Sequence, residues 1–156
     1  MFDRRRRATA HEIARLRASF GYDVVGLRPD DEQLLGEAQI SSIATLAELG
    51  ALFTSLSVGD ARPGAPSQRT VADCAAEWAA ANGTAHDQDA YRRGLDQAAD
   101  PDYQPELLFT PSRRVSSGYL LVDAIHRAAA LYTQRTATRT TQLDTIAYLL
   151  PRQFAR

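Results

Sequence analysis

Three side chains of complementary chemistry fall close together in the string Leu120-Leu121-Val122-Asp123-Ala124-Ile125-His126-Arg127. The guanidinium of Arg127 offers a forked and permanently charged set of donors, and the imidazole of His126 can give or take a proton near neutral pH. The apolar run before them reads as a strand, and the small-residue run from Ala128 to Leu131 reads as a helix. A strand that passes straight into a helix presents the helix's unpaired N–H groups, with the positive end of its dipole, at the edge of a sheet. Ala124, Ile125, His126 and Arg127 are therefore candidates to hold an anion, phosphate or sulfate above all. Asp123 stands where an N-cap belongs, with its carboxylate within reach of an amide two or three residues on. Asp123 and His126 are also the candidates for catalysis. The same string has a plainer reading as a cap, a surface ion pair and a polar niche. The flanking strand and helix supply the structural context that an isolated motif lacks.

The elements that must position these groups follow from periodicity and turn chemistry. Ile13, Leu16 and Phe20 recur at helical spacing, which predicts an amphipathic helix at about 8–20, ended by Gly21. The β-branched stretch from Tyr22 to Leu27 predicts a strand. Pro29 opens a turn, and Asp30, Asp31 and Glu32 suit the start of a helix, where acidic charge meets the positive dipole end. Ile40, Ile43, Leu46, Leu49 and Leu52 continue an apolar helical face. Leu56-Ser57-Val58 reads as a brief strand, with extension of the preceding helix as the alternative. Gly59 to Ser67, with its prolines and glycines, is a loop.

Helices are expected over 71–81 and 90–98, with breaks at Asn82-Gly83-Thr84 and Asp100-Pro101-Asp102. Strands are expected at Leu107–Phe109 and Tyr119–Val122, joined by a loop carrying Arg113 and Arg114. The last elements are a helix over 124–133 and a strand over 143–150. These pieces give an α+β fold, with a small mixed sheet and surrounding helices.

The chain has 156 residues, which fits a single domain. Its hydrophobic content of 44% and charged content of 24% are ordinary for a globular protein. All 18 basic residues are arginine, a sign of GC-rich coding more than of mechanism. A formal net charge of −1 gives no global reason to bind nucleic acid, so DNA is disfavoured. The run Arg4 to Arg7 is the local exception, read as a solvated arm. Arg113 and Arg114 are read as solvated, with contact to the anion as the alternative.

Cys74 is the sole cysteine and sits among Val71, Ala75, Ala76 and Trp78, as a buried inert thiol would. No disulfide or cysteine-rich zinc site can form within the chain, and neither His11 nor His86 has metal-ligand spacing around it. Trp78 reads as core. No apolar run approaches the ~20 residues of a membrane span. No apolar signal core follows the basic N-terminus, so a cytoplasmic location is expected.

The signature Tyr119-Leu120-Leu121-Val122-Asp123-Ala124-Ile125-His126-Arg127-Ala128-Ala129-Ala130-Leu131 resembles that of the ParB-like/sulfiredoxin superfamily, a strand followed by Asp-Gly-x-His-Arg and a small-residue helix. Ala124 stands where that family has glycine. If the position needs a positive φ, or a ligand must approach it closely, the methyl group matters. Val24 to Glu32 is similar to the family's opening strand and its Leu-x-Pro-x-Glu element. In the free-serine kinase branch an acidic residue there is the catalytic base, and Asp31 and Glu32 are the two positions that match. Ile43 to Val58 is similar to a helix-Gly-strand step with Gly50 in the turn. Residues 60–104 have no counterpart and read as a helical insertion that covers the site.

The resemblance implies several chemistries built on one phosphate-binding design. Sulfinic-acid repair needs a cysteine before His-Arg, and Ile125 occupies that place. Chromosome-partition proteins carry a further DNA-binding domain, which is not evident here. The expectation is a small-molecule enzyme of bacterial, including specialised, metabolism acting on a phosphorylated or sulfated substrate or a nucleotide. It would act by phosphoryl transfer or by displacement of phosphate or sulfate, including ring closure. The sequence names no cofactor, and a nucleotide with Mg is the one that the transfer branch implies. The alternatives are a non-catalytic partner subunit, in a hetero- or homo-oligomer, and a DNA-associated regulator.

Overall fold

Four threonines, each followed three residues later by an acid, start helices here. In such a box the threonine hydroxyl accepts from the third amide of the helix, and the acid accepts from the threonine's own amide. The computed structural model describes residues 2, 4–19, 29–57 and 68–152, with the backbone alone for 29–32 and 57. Thr9 and Glu12 open α1 (Ala10–Ser19), with bonds of 3.2 and 2.8 Å. Thr45 and Glu48 open α3 (Leu46–Ala51), Thr70 and Asp73 open α4 (Val71–Ala79), and Thr84 and Asp87 open α5 (Ala85–Ala98). The other helices are α2 (Pro29–Gly36) and α6 (Ile125–Ala137).

The strands are β1 (Arg6–Arg7), β2 (Gln39–Thr45), β3 (Phe53–Ser57), β4 (Gln68–Thr70), β5 (Glu106–Pro111), β6 (Tyr119–Asp123) and β7 (Gln142–Leu149). They form one mixed sheet in the order β1-β2-β7-β5-β6-β3-β4. The pairs β5–β7 and β3–β6 are parallel and the rest antiparallel. The fold is thus mixed α+β.

Two expectations are corrected. Residues 39–45 form a strand, not the start of an apolar helix. Ile40 and Ile43 have helical spacing, yet they pair with Tyr148 and Thr145 of β7, and Ser41 between them is also buried. Pairing with a distant strand overrides the local period, and the Thr45–Glu48 box delays the helix to Leu46. The second correction is at Ala85 to Asp89, which belongs to α5 and not to a loop. The strand at 53–57 settles the choice between strand and extended helix. Gly50 lies inside α3 and not in the turn after it. A Cβ there would come within 2.5 Å of the Tyr132 ring, so its role is close packing of α3 on α6. The strand expected at Tyr22–Leu27, the loop at Gly59–Ser67 and Val58 lie outside the described residues.

The helix α6 is buried on most of its circumference, with Ala128, Ala129, Ala130 and Leu131 fully shielded. It packs against α3, α4 and α5. Its alanines let α5 approach closely, because a Cβ on Gly94 would fall 2.8 Å from the Ala130 methyl. Thus residues 71–98 form a helical pair laid against α6, sharing its core through Val71, Cys74, Trp78, Tyr91 and Ala98. Cys74 is buried and its thiol is pushed up to about 11 by burial, which keeps it protonated and unreactive. Among the described residues no helix is long and apolar enough to cross a membrane.

Candidate functional site

The junction of β6 and α6 opens into a cavity of about 600 Å³. From the junction itself it is lined by Val122, Asp123, Ala124, Ile125, His126 and Arg127. From α5 it takes His86, Ala90, Arg93, Gly94 and Gln97, which share one helix face at spacings of three and four. Ser19 at the end of α1 and Leu56 of β3 complete the wall. The structure therefore brings together the five residues 123–127 that the sequence singled out.

Asp123 is not the N-cap that the sequence reading expected. Ala124 takes that position with φ 65° and ψ 26°, in the left-handed region, and no side chain caps the helix. The sharp turn at Ala124 leaves Asp123 as the last strand residue, where its Oδ1 accepts from the Ala124 amide at 2.7 Å. The helix-start amides of Ile125, His126 and Arg127 are thus left without a side-chain cap, beside the cavity. Burial raises the Asp123 carboxyl above its usual range, against the opposing pull of the Ala124 amide, Arg127 and His126. A carboxyl with a raised pKa is a stronger proton acceptor once ionised.

His126 is held from two sides by the helical pair. Its Nε2 lies 2.8 Å from Asp87 Oδ1, with the two side chains 26% and 25% exposed. Its ring stacks on Trp78 with centroids 4.6 Å apart and planes 18° from parallel. The His86 ring stands perpendicular to it, with centroids 5.6 Å apart. Asp87 is fixed in turn, because its Oδ2 accepts from the Thr84 amide in the α5 box. Burial works against ionisation of Asp87, but the bonds from His126 and Thr84 outweigh it and hold the carboxyl below its usual range. Trp78 is core, as expected, and serves as the floor under His126 as well.

Arg127 is engaged with Tyr103 and lies near Asp123. Burial raises the Tyr103 hydroxyl, against the charge and hydrogen bond of the Arg127 guanidinium. Arg113 and Arg114 are exposed and are not among the cavity's lining residues. Asp31 and Glu32 fall in the first turn of α2, and their side chains lie outside the described residues. The Arg4–Arg7 run is no free arm. Arg6 and Arg7 form β1, Arg6 holds Glu12 and drives its carboxyl down to about 2, and Arg5 donates to Tyr119 at 2.9 Å. No three histidine, cysteine or acidic side chains gather as a metal site among the described residues.

Sequence reasoning passed over Asp87, Arg93 and Gln97. The signal that finds them is the Thr84-x-x-Asp87 box, which moves the start of α5 back to Ala85. His86, Ala90, Arg93 and Gln97 then fall on one face. Compared with protein-family models, with curated proteins and with solved structures, the chain matches none of them.

Proposed function

We propose that this protein is a small-molecule enzyme with a ParB/sulfiredoxin-like site, acting at a phosphate or sulfate group of its substrate. The observation that carries the reading is the uncapped start of α6 opening into a cavity lined by Arg93, Arg127 and the Asp123 carboxyl. Helix-start amides and arginines favour a tetrahedral anion, and preorganised donors also stabilise charge that builds up during transfer or displacement. Asp123 accepts a proton from the attacking hydroxyl or amine. A cavity of about 600 Å³ lies within the range that holds small ligands and cofactors. The resemblance gives the role of base to Asp31 or Glu32 instead; the cavity lining favours Asp123 for it, and the two acids of α2 stand as the alternative base on the resemblance alone.

A nucleotide is one substrate of this class. Mg²⁺ is commonly held by one or two carboxylates plus substrate phosphates. Among the described lining residues Asp123 is the one carboxylate, beside Arg93 and Arg127, so the lining suits the phosphates of such a substrate and leaves its Mg²⁺ to be held by the nucleotide itself. A second reading, a binding subunit without turnover, draws on the Ala124 methyl at the point where the family has glycine.

The test is thermal unfolding with phosphate, sulfate, ADP, ATP, CTP and phosphorylated or sulfated amino acids. A ligand at 100 times its Kd stabilises the native state by about 2.7 kcal/mol, a rise of roughly 5–10 °C for a chain of this size. The rise should be lost in Arg127→Ala. No shift with any of these anions would end the reading. A shift without turnover of any bound substrate would favour the binding subunit.

A further inference from the structure

We infer that His126 is the proton donor of this site and that Asp87, supplied by the helical pair, is its positioning residue. The inference rests on the proposed reading of the cavity as an anion site. A histidine in the first turn of a helix beside an anion is ordinarily read as another cationic clamp. The geometry here differs, because Nε2 is bonded to Asp87 while the ring stacks on Trp78 and stands perpendicular to the His86 ring. Nδ1 is then the nitrogen through which the ring can exchange a proton with a ligand, and it makes no hydrogen bond to the described residues.

Asp87 cannot swing away from the ring without giving up the Thr84 amide, so the pair is braced at both ends. The charged and titratable groups around the ring are Asp87 and His86 from α5, Asp123 from the end of β6, and Arg127 from α6 itself; Arg93 lines the same cavity. They divide the labour between a carboxylate at the end of β6 and an imidazole in the first turn of α6. Asp123 takes the proton of the attacking group. As the attacking oxygen or nitrogen bonds to the phosphorus, sulfur or carbon centre, the bond from that centre to the departing oxygen breaks, and doubly protonated His126 gives its Nδ1 proton to that oxygen. The Nδ1–H bond breaks, an O–H bond forms, and the neutral ring that remains keeps its Nε2–H on Asp87.

The experiment is NMR of the full chain labelled with ¹⁵N, titrated with inorganic phosphate, for the native protein and Asp87→Asn. Asparagine keeps an acceptor for the Thr84 amide, so the α5 box survives. The expected result is that phosphate shifts the amides of Ile125 and Arg127 and brings up a slowly exchanging Nδ1–H signal at His126. That signal should be lost in Asp87→Asn. A histidine that only props the helices apart would not answer at Nδ1.

If the amides shift but Nδ1 stays silent, or if Asp87→Asn responds like the native protein, the inference falls and the anion site stands. If phosphate moves no resonance, both fall. Should Asp87→Asn fail to fold, the native titration decides the role of His126, and Asp87→Glu, which keeps the carboxylate, decides that of Asp87: an unchanged Nδ1–H response despite the displaced carboxylate would overturn it.

Discussion

A left-handed backbone at a non-glycine residue costs roughly 1–2 kcal/mol, and Ala124 bears that cost at φ 65°. Glycine would relieve it, while loosening the unfolded chain by about 0.4–1 kcal/mol. The difference leaves Ala124→Gly more stable by about 0.5–1 kcal/mol, read as a higher urea midpoint at unchanged m-value; a lower midpoint would show that the methyl contributes packing instead. Asp123 next door is strained in charge. Its folded pKa lies above the ordinary 3.8, so ionising it opposes folding. That cost is absent below pH 3.8, where both states are protonated, and grows as pH rises through the folded pKa. Asp123→Asn keeps the acceptor for the Ala124 amide and removes the charge. It should therefore exceed the native protein in stability at pH 7, with the excess shrinking as the pH is lowered toward 3.8. Equal stability across that range would remove the electrostatic argument. Under the proposed function the same variant is inactive, so this carboxylate trades stability for chemistry.

At the scale of elements, the helical pair is tied down by a residue that the sequence did not advertise. Arg135 of α6 is only 4% exposed and donates to the carbonyls of Ala98, Asp100, Pro101 and Tyr103. Those acceptors include the end of α5, where a helix leaves carbonyls unpaired and carries partial negative charge. Arg135→Met would fill the space yet strand the acceptors, at about 1–3 kcal/mol for an unsatisfied buried group. Hydrogen exchange should quicken in the last turn of α5 before the rest of the helix. Uniform exchange across α5 would mean that the bonds are dispensable. The same contrast between local and distant causes explains what was legible. The helix at Ala10–Ser19, the strands around Phe109 and Leu121, and the strand-to-helix step at residues 123–127 announce themselves by period and composition. Strand β2 does not, since its apolar spacing imitates a helix and its partner β7 comes from the far end of the chain. Asp87 was hidden for a related reason. A polar stretch before Ala90 looks like a loop unless the Thr84 box is noticed, and no local signal says that this helix meets His126.

At the scale of the molecule, the question is whether residues 71–98 are an appendage or part of one cooperative unit. Their buried side chains join the same apolar cluster as the sheet, and Gly94 permits backbone-level contact with α6. Asp87 and Trp78 reach His126, while Arg135 reaches back to the end of α5. An appendage of two helices could not bury its apolar face alone, so it should melt with the core and not before it. Trp78 is the only tryptophan, which makes its fluorescence a reporter confined to this junction. Far-UV circular dichroism reports the whole chain. The two probes should give coincident urea transitions, the signature of two-state unfolding. An earlier fluorescence transition would show that the pair detaches first, taking Asp87, Arg93 and the floor of the site with it. Coincidence would mean that no folded form of the sheet lacks these groups, so that the site is assembled whenever the protein is folded.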